Sequence, residues 1–428
     1  MKDGRYLLTQ ILALAAAIVL APAIASVDAA GTYKILYSFG PRNSHGCYGE
    51  SPYAGLTIDT LGNLYGVTSS SSSYCAPGGT AFKLSPTSSG GWKERTLHLF
   101  GSQKDGSTPV GSMVLDPAGN LYGTTAGGFG TVFELILKNK WNESILHNFT
   151  GNNDGDSPVS SLAWDSKGNL YGTTLSGGIN NCDQVSQGGC GTVFELTQGS
   201  DGSWNEKVLY EFTGGKDGSN PRSGVVLDSV GNIYGTAGFG GSDICGYPNI
   251  GCGTAFELEP NPDGSWKFKV LHEFSLKGDG GAGPWGTLTM DNTGNLFGTA
   301  AGGGHYGPGV VFEFEHTATG WKERVLHAFT GGNDGANPFF EKLVFDSAGN
   351  IYGTTEAGGT HGNGVAFELT TRTGGGWPER VLHNFGKSRS SDGANPYAGV
   401  VLDAAGHLYG TTLNGGRFGY GTVFEIVP

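Results

Sequence analysis

The side chains best suited to acid–base or metal chemistry recur at fixed positions of this sequence. Five histidines occupy one position of a segment that reads Glu-Arg-Val-Leu-His-x-Phe or a variant of it: His98, His147, His272, His327 and His383. Imidazole titrates near neutral pH and is a common metal ligand. Because each histidine belongs to a different copy of a repeat, the five do not predict one shared metal site. We expect them to pack between repeats.

Carboxylates recur in the same way. Glutamates hold one position of a second segment, at Glu134, Glu195, Glu257, Glu313, Glu368 and Glu425. We expect some of them to pair with basic residues of the next segment, at Lys207, Arg324 and Arg380. Asp-Gly dipeptides stand shortly before a proline at Asp105, Asp154, Asp217, Asp279, Asp334 and Asp392. We expect each of these aspartates to cap its own turn.

One of these loops has a composition that also suits calcium. Residues 151–158 offer side-chain oxygens at Asn153, Asp154 and Asp156, which is fewer than an EF-hand loop supplies. Calcium therefore stays open as an alternative in this loop, and no other cofactor is predicted. The sequence has no GxSxG, HExxH or phosphate-loop motif. It thus predicts no catalytic residue and no metal ligand.

The elements that carry these residues are copies of one repeat. The phrase GNLYG, or a close variant, occurs seven times, at Gly62–Gly66, Gly119–Gly123, Gly168–Gly172, Gly231–Gly235, Gly294–Gly298, Gly349–Gly353 and Gly406–Gly410. Each copy holds four short segments rich in Val, Leu, Tyr, Phe and Thr, bounded by turn residues, which is typical of β-strands. Units this short must stack to bury their apolar faces. The sequence predicts an all-β, seven-bladed propeller of four-stranded antiparallel blades.

The two ends of the chain predict how the ring closes. Tyr33–Phe39 resembles the fourth strand of a repeat, whereas Gly421–Ile426 resembles a third strand with no fourth strand after it. Pairing these segments completes the seventh blade and removes two open sheet edges. We therefore predict a single propeller domain over residues 31–428, and we expect a monomer.

The first residues predict export. Lys2 and Arg5 precede an apolar run, and Ala23-Ile24-Ala25 supplies a small-residue cleavage site, so residues 1–25 are predicted to be a signal peptide. The protein is then extracellular or periplasmic, with no stable membrane insertion after cleavage. The net charge of −13 disfavours nucleic acid and anionic lipid as partners.

Six cysteines fit an oxidising compartment. Cys182 and Cys190 lie in one loop between second and third strands, and Cys245 and Cys252 lie in the equivalent loop of the next repeat. Cys47 and Cys75 lie in two loops on the same face. We predict the pairs Cys182–Cys190, Cys245–Cys252 and Cys47–Cys75. Zinc is the alternative, but the CxxC spacing typical of zinc sites is absent.

The combination of GNLYGTT, GTVFEL and VLHNF, joined by DGxxP, resembles the GloVer tandem-repeat family of secreted bacterial proteins. The resemblance extends from Tyr33 to the C-terminus. It implies the repeat architecture and export, and it brings no established enzymatic activity.

The candidate site comes from residues that break the repeat. Trp285 follows Pro284 at the entrance to a first strand, and the other repeats place Tyr53, Val110, Val159, Arg222, Phe339 and Tyr397 there. First strands line the channel of a propeller, so four aromatic residues and one arginine are predicted to ring its mouth. They form a platform for a flat ligand such as a glycan, or they plug the channel. Loops of the same face would add His45, His305, Tyr306, His361, Arg417, Phe418 and Tyr420.

The sequence favours a binding or interaction module for carbohydrate or for an extracellular protein. The first alternative is an enzyme acting on polysaccharide, a glycoside hydrolase or lyase, which needs two converging carboxylates. The acids available on this face are Asp154, Asp156, Asp183, Asp243 and Glu341. The second alternative is a structural protein of the cell envelope. Whether the protein is an enzyme stays open, with a non-enzymatic role favoured.

Non-reducing peptide mapping of the secreted protein tests the cysteine pairing. We expect three bridges, with loop closure contributing roughly 2.6 kcal/mol for residues 182–190 and roughly 3.6 kcal/mol for residues 47–75. Free thiols, or a bridge joining the third repeat to the fourth, would contradict the pairing.

Overall fold

The computed structural model describes residues 31–40, 49–71, 78–101, 105–137, 140–178, 182, 188–246, 250–277, 280–339, 342–372, 374–388 and 391–428. All regular elements in these residues are β-strands. None of the described residues belongs to a helix with the length and apolarity needed to cross a membrane.

The described strands form seven four-stranded antiparallel sheets, which are the blades of a propeller and are numbered here from Thr57 onwards. The first strands, which lie nearest the axis, are Thr57–Ile58, Val114–Leu115, Ala163–Trp164, Val226–Leu227, Thr289–Met290, Val344–Phe345 and Val401–Leu402. The second strands are Leu64–Thr68, Leu121–Thr125, Leu170–Thr174, Ile233–Ala237, Leu296–Ala300, Ile351–Thr355 and Leu408–Thr412. The predicted all-β, seven-bladed fold is confirmed.

The outer strands of the blades are longer. The third strands are Thr80–Pro86, Thr131–Leu137, Thr192–Gln198, Thr254–Pro260, Val310–Thr317, Val365–Leu369 and Thr422–Val427. The fourth strands are Trp92–Leu99, Trp141–Asn148, Trp204–Glu211, Trp266–Glu273, Gly320–Ala328, Glu379–Asn384 and Thr32–Ser38. Short two-strand pairs join loops on one face: Gly49–Glu50 with Ser70–Ser71, Ile244–Gly246 with Ile250–Gly251, Gly281–Ala282 with Gly302–Gly303, and Gly393–Ala394 with Asn414–Gly415.

The N-terminal strand closes the ring, as the sequence predicts. Thr32–Ser38 is the fourth strand of the seventh blade and pairs antiparallel with Thr422–Val427. Thr32 lies opposite Val427, and Ser38 lies opposite Thr422. The blade therefore combines both ends of the chain, and its outer strand covers the edge of the third strand.

The GNLYG phrase fixes the interior of each blade, as its third copy illustrates. A Cβ atom on Gly172 would lie 2.6 Å from Cζ of Phe194, so the ring can cross the second strand only at glycine. The Tyr171 hydroxyl lies 2.7 Å from Oε1 of Glu195 and 3.3 Å from Oδ2 of Asp165. The same aspartate accepts a hydrogen bond from the Asn169 backbone N–H, which closes the turn. One repeated phrase thus links three strands of a blade.

In five of the seven blades, a threonine of the second strand donates a hydrogen bond to the backbone of the next blade. Thr173 Oγ1 donates a hydrogen bond of 2.8 Å to the Ser223 carbonyl, and Thr411 Oγ1 donates one of 2.8 Å to the Ala54 carbonyl. Equivalent bonds join Thr124 to Ser160, Thr236 to Gly286 and Thr354 to Ala398. All five threonine side chains are buried, so leaving one of them unpaired is costly.

The recurrent histidines lie between blades, as predicted. The sequence did not indicate that carboxylates of the adjacent blade lie beside some of them. His98 Nε2 lies 3.6 Å from Oδ2 of Asp105 and 3.5 Å from Oε1 of Glu143, a residue of the next blade. Burial, reinforced by the Asp105 charge, raises the pKa of Glu143 from 4.5 to about 8. Burial lowers the pKa of His98. Two weakly charged groups therefore share this interface.

Aromatic pairs replace the His–Glu combination at two other interfaces. Tyr210 stacks on Phe268 with ring centroids 3.9 Å apart. Tyr33 stacks on His383 with centroids 3.7 Å apart. Residues at the histidine position therefore pack against the next blade through either polar or aromatic contacts.

The recurrent glutamates of the third strands also behave largely as predicted. Arg324 pairs with Glu313, and Arg380 pairs with Glu368. Lys207 instead donates a hydrogen bond of 2.9 Å to the Gly264 carbonyl of the next blade.

Two of the three predicted disulfides are present. Cys182 pairs with Cys190, and Cys245 pairs with Cys252, with Cα atoms 5.1 and 4.9 Å apart. Cys47 and Cys75 lie outside the described residues, so their pairing stays a prediction. Disulfides indicate an oxidising compartment, extracellular or periplasmic.

Deleting residues 31–40 should open the ring, because it removes the fourth strand of the seventh blade. We expect the melting temperature to fall by on the order of 10 °C and the exposed edge of Thr422–Val427 to promote association. Calorimetry and light scattering measure the two effects, with a chain that begins at residue 31 as the control. A monomeric truncation with unchanged melting temperature would contradict closure.

The Glu143→Gln variant should remove a pH-dependent loss of stability. The folded pKa of Glu143 is raised from 4.5 to about 8, so its contribution to stability is present below about pH 4.5 and declines as the pH rises to about 8. Glutamine has no such loss. The free energy of unfolding of the variant minus that of the wild type should therefore increase between about pH 5 and 8, by about 1 kcal/mol for this partly exposed group.

Urea titrations followed by tryptophan fluorescence measure this difference. The exposed Glu315→Gln variant is the matched control and should show little pH dependence of its own. An unchanged or declining difference between Glu143→Gln and the wild type would contradict the assignment.

Candidate ligand-binding site

In each blade a proline precedes the first strand, and the seven residues that follow these prolines surround the mouth of the central channel. They are Tyr53, Val110, Val159, Arg222, Trp285, Phe339 and Tyr397, and all are partly buried. Six of them, all except Phe339, line a cavity of about 230 Å³ at this mouth. Proline directs the backbone of each blade into its first strand, and the next side chain therefore meets its counterparts at the axis.

The aromatic residues form one continuous arc on one side of the mouth. Trp285 stacks on Phe339 with centroids 4.8 Å apart and an interplanar angle of 26°. Phe339 also stacks on Tyr397, with centroids 5.6 Å apart and an angle of 10°. Tyr53 meets Tyr397 edge to face at 4.7 Å. Phe339 is thus held between two rings, where it supports the arc instead of lining the cavity.

Arg222 and Gly238 hold Trp285 in place. The Arg222 guanidinium carbon lies 5.7 Å from the centroid of the indole, within cation–π range. A Cβ atom on Gly238 would lie 2.3 Å from the indole Nε1, so the tryptophan packs directly on this backbone. Burial lowers the pKa of Arg222 and raises the pKa of Tyr397 to about 12. The cavity therefore combines aromatic rings with a guanidinium and a neutral phenol.

The two valines leave the opposite side of the mouth open. Val110 and Val159 stand where the other blades have aromatic or long side chains, and both line the cavity. Small residues beside them, including Ser112 and Ser161, extend the lining downward. The aromatic arc therefore flanks a space instead of filling the whole channel.

A second cavity of about 570 Å³ continues along the axis between the first strands. Small residues surround its upper end, at Gly55, Ser112, Ser161, Thr287 and Gly399, and all but Gly399 also line the cavity at the mouth. Lys342 holds the equivalent place in the sixth blade and lines the channel as well. The side chain reaches channel solvent, yet the surrounding protein lowers the pKa of its amine.

Sequence reasoning overlooked Lys342, although the signal was available. Counted back from the aspartate after the first strand, this position is Gly, Ser or Thr in the other six repeats. Alignment of the seven repeats, which identifies Trp285 as an exception, also identifies Lys342.

The described lining of both axial cavities contains no carboxylate. The predicted acids that are described have other partners: Asp154 accepts hydrogen bonds from Thr150, Asp156 accepts one from Ser157, and Asp243 pairs with Lys277. Asp183 and Glu341 lie outside the described residues. The described part of the site therefore presents no acid pair of the kind that glycosidases use.

The calcium alternative concerns the loop at residues 151–158. Asp154 accepts a hydrogen bond of 2.9 Å from the Thr150 backbone and one of 2.7 Å from its hydroxyl, as a turn cap does. Asp156 accepts a 2.7 Å bond from the Ser157 hydroxyl. Local partners thus engage the two carboxylates that calcium would need.

Two blade interfaces have side chains that could hold a metal ion. The ligand atoms of His98, Asp105 and Glu143 lie within 4.8 Å of one another, as do those of His327, Asp334 and Glu379. One imidazole and two carboxylates suit zinc or another divalent ion. The aromatic pairs at equivalent interfaces show that packing alone can occupy this position.

The predicted rim residues lie in the loops between second and third strands. His305 meets Tyr306 edge to face, and Arg417 lies over the ring of Phe418 at 5.2 Å. Tyr306, Phe418 and Tyr420 are exposed, at 60%, 48% and 38%. None of the described rim residues lines the cavity at the mouth, and His45 lies outside the described residues. The site is therefore narrower than the sequence suggested.

The sequence matches the Gloeobacter/Verrucomicrobia repeat in three overlapping segments, at residues 21–186, 128–339 and 248–428. The chain therefore belongs to this repeat family, and the predicted family is confirmed. Among curated proteins, none matches it.

Solved structures resemble the chain in fold. The crystal structure of the WD40 β-propeller domain of Doa1 aligns with a TM-score of 0.51 and 10% sequence identity, covering 92% of this chain and 96% of that one. A putative oxidoreductase (glucose dehydrogenase) from Thermus thermophilus aligns with a TM-score of 0.40 and 16% identity, covering 92% and 99%. At 10% identity, the likeness to the Doa1 domain shows the propeller fold alone.

Proposed function

We propose that the protein is an exported binding module that takes a flat, ring-shaped ligand, such as a sugar, at the mouth of the channel. The observation that carries this proposal is the aromatic arc of Trp285, Phe339, Tyr397 and Tyr53 beside an unfilled cavity. Apolar ring faces next to a few polar groups are typical of small-molecule sites.

The dimensions of the cavity suit one ring of a larger ligand. Its volume of about 230 Å³ is smaller than that of most ligand pockets. The indole of Trp285 supplies apolar surface, while the guanidinium of Arg222 and the phenol of Tyr397 supply hydrogen-bond donors. The open side by Val110 and Val159 leaves room for the remainder of the ligand.

A binding role accounts for the described site better than hydrolysis does. Glycosidases need two carboxylates on either side of the scissile bond, and the described lining offers aromatic, hydroxyl and cationic groups instead. The two disulfides support export, because such bonds persist in oxidising compartments.

Trp285→Ala should weaken binding by on the order of 2 kcal/mol, or about 30-fold, because an aromatic anchor carries much of the binding energy in such sites. A glycan array identifies the ligand, and isothermal titration calorimetry compares the variant with the wild type. Trp321→Ala is the matched control: it removes a partly buried tryptophan from a fourth strand, so it should lower stability and leave affinity unchanged.

The opposite pattern would contradict the proposal. If Trp285→Ala bound every ligand as the wild type does but lost several kcal/mol of stability, as core truncations do, then Trp285 would be a channel plug.

A further inference from the structure

Lys342 is the one large residue at a position near the top of the channel where the other six blades have Gly, Ser or Thr. First strands of adjacent blades approach so closely there that a Cβ atom on Gly399 would lie 2.4 Å from the Lys342 carbonyl oxygen. A Cβ atom on Gly224 would lie 2.8 Å from the Ser161 carbonyl oxygen. The other six blades have Gly, Ser or Thr at this position, and these small residues fit between the adjacent backbones. A long side chain fits only by extending into the channel, and Lys342 lines that cavity.

The charges along the axis have one sign. Among the described residues that line the two cavities, the charged ones are Arg222 at the mouth and Lys342 below it. The whole chain carries a net charge of −13, so two cations with no carboxylate in the same lining run against the overall balance. Glu356, whose charge acts on Tyr397, lies near the mouth but not in either lining.

Hydroxyl groups connect the two levels. Ser112, Ser161 and Thr287 line both cavities, so the mouth and the channel are contiguous at this ring. The Thr287 hydroxyl accepts a 2.9 Å hydrogen bond from the Gly224 backbone and retains its own proton for donation. A group that entered from the mouth would therefore meet these hydroxyl groups first and then the cavity that Lys342 lines.

We propose that the ligand is an acidic saccharide whose carboxylate or sulfate is received by Lys342, with Arg222 beside the sugar ring. This inference rests on the proposed function and names the ligand class of the same site. Charge-assisted hydrogen bonds are stronger than neutral ones. An anion next to the amine also favours its protonated form, which opposes the effect of burial.

Uronate trisaccharides and their methyl esters test the charge directly. The ester removes the negative charge and keeps the ring, so galacturonate, mannuronate and glucuronate trisaccharides are each compared with their esters by calorimetry. For at least one pair, we expect the acid to bind about 10-fold more tightly than the ester, the ratio that one charge-assisted contact supplies. Lys342→Ser should reduce this ratio to about one while leaving the affinity for the ester unchanged.

Three controls separate charge from folding. Serine already occupies this position in two other blades, so Lys342→Ser should keep the wild-type melting temperature. Lys342→Arg should keep a preference for the acid. Lys322→Ser removes the same charge from an exposed position on an outer strand and should leave both affinities unchanged.

Each other outcome identifies which proposal fails. Equal binding of acid and ester by the wild type, or a preference that survives Lys342→Ser, overturns the role of Lys342 and leaves the binding module in place. If none of the trisaccharides binds in either form, the saccharide site itself is wrong, and the inference falls with it.

Discussion

The close approach of seven first strands around one axis is the constraint on which the rest of this structure depends. Each first strand is two residues long. Beside five of them, a buried threonine hydroxyl of the preceding blade, such as that of Thr173, donates to the backbone. At Gly399 the next backbone is so near that a side chain would overlap it. Each blade therefore depends on its neighbour. The Thr411 hydroxyl joins the seventh blade to the first, and the terminal strand Thr32–Ser38 completes the outer edge of that seventh blade.

Because the strands are so close at the axis, residues that differ from the repeat there change the shape and charge of the channel. Six blades have Gly, Ser or Thr at one position of the channel, whereas Lys342 places a long side chain with an amine there. Each blade has one side chain at the mouth: four aromatic rings form the arc, Arg222 lies over the Trp285 ring, and two valines leave a gap. Exceptions at two levels of the same axis thus give a symmetric fold an asymmetric candidate site.

Much of the fold could be predicted from the sequence, because the repeated phrase records contacts that recur in every blade. The contact between Gly172 and Phe194 illustrates such a repeated contact. The incomplete repeats at the two ends of the chain indicate that these ends pair with each other. Contacts between blades, such as His98 with Glu143, join different repeats and leave no local pattern.

The sequence indicated which residues meet at the channel mouth, but it indicated less about how they are arranged there. Aligned repeats identify Trp285 as an exception, but stacking of Phe339 between two rings depends on the order of blades around the axis. Whether the aromatic arc plugs the channel or flanks a cavity depends on Val110 and Val159, which look unremarkable in sequence. Three-dimensional packing was needed to show that the unfilled side lies with these valines.

A crystal structure of the protein with a saccharide that the glycan array identifies tests the central claim most directly. We predict electron density for one sugar ring in the cavity at the channel mouth, bordered by Trp285, Arg222 and the two valines. Density elsewhere, for example on the exposed loop residues Tyr306 and Phe418, with the mouth unchanged, would contradict the claim that departures from the repeat at the axis define the binding site.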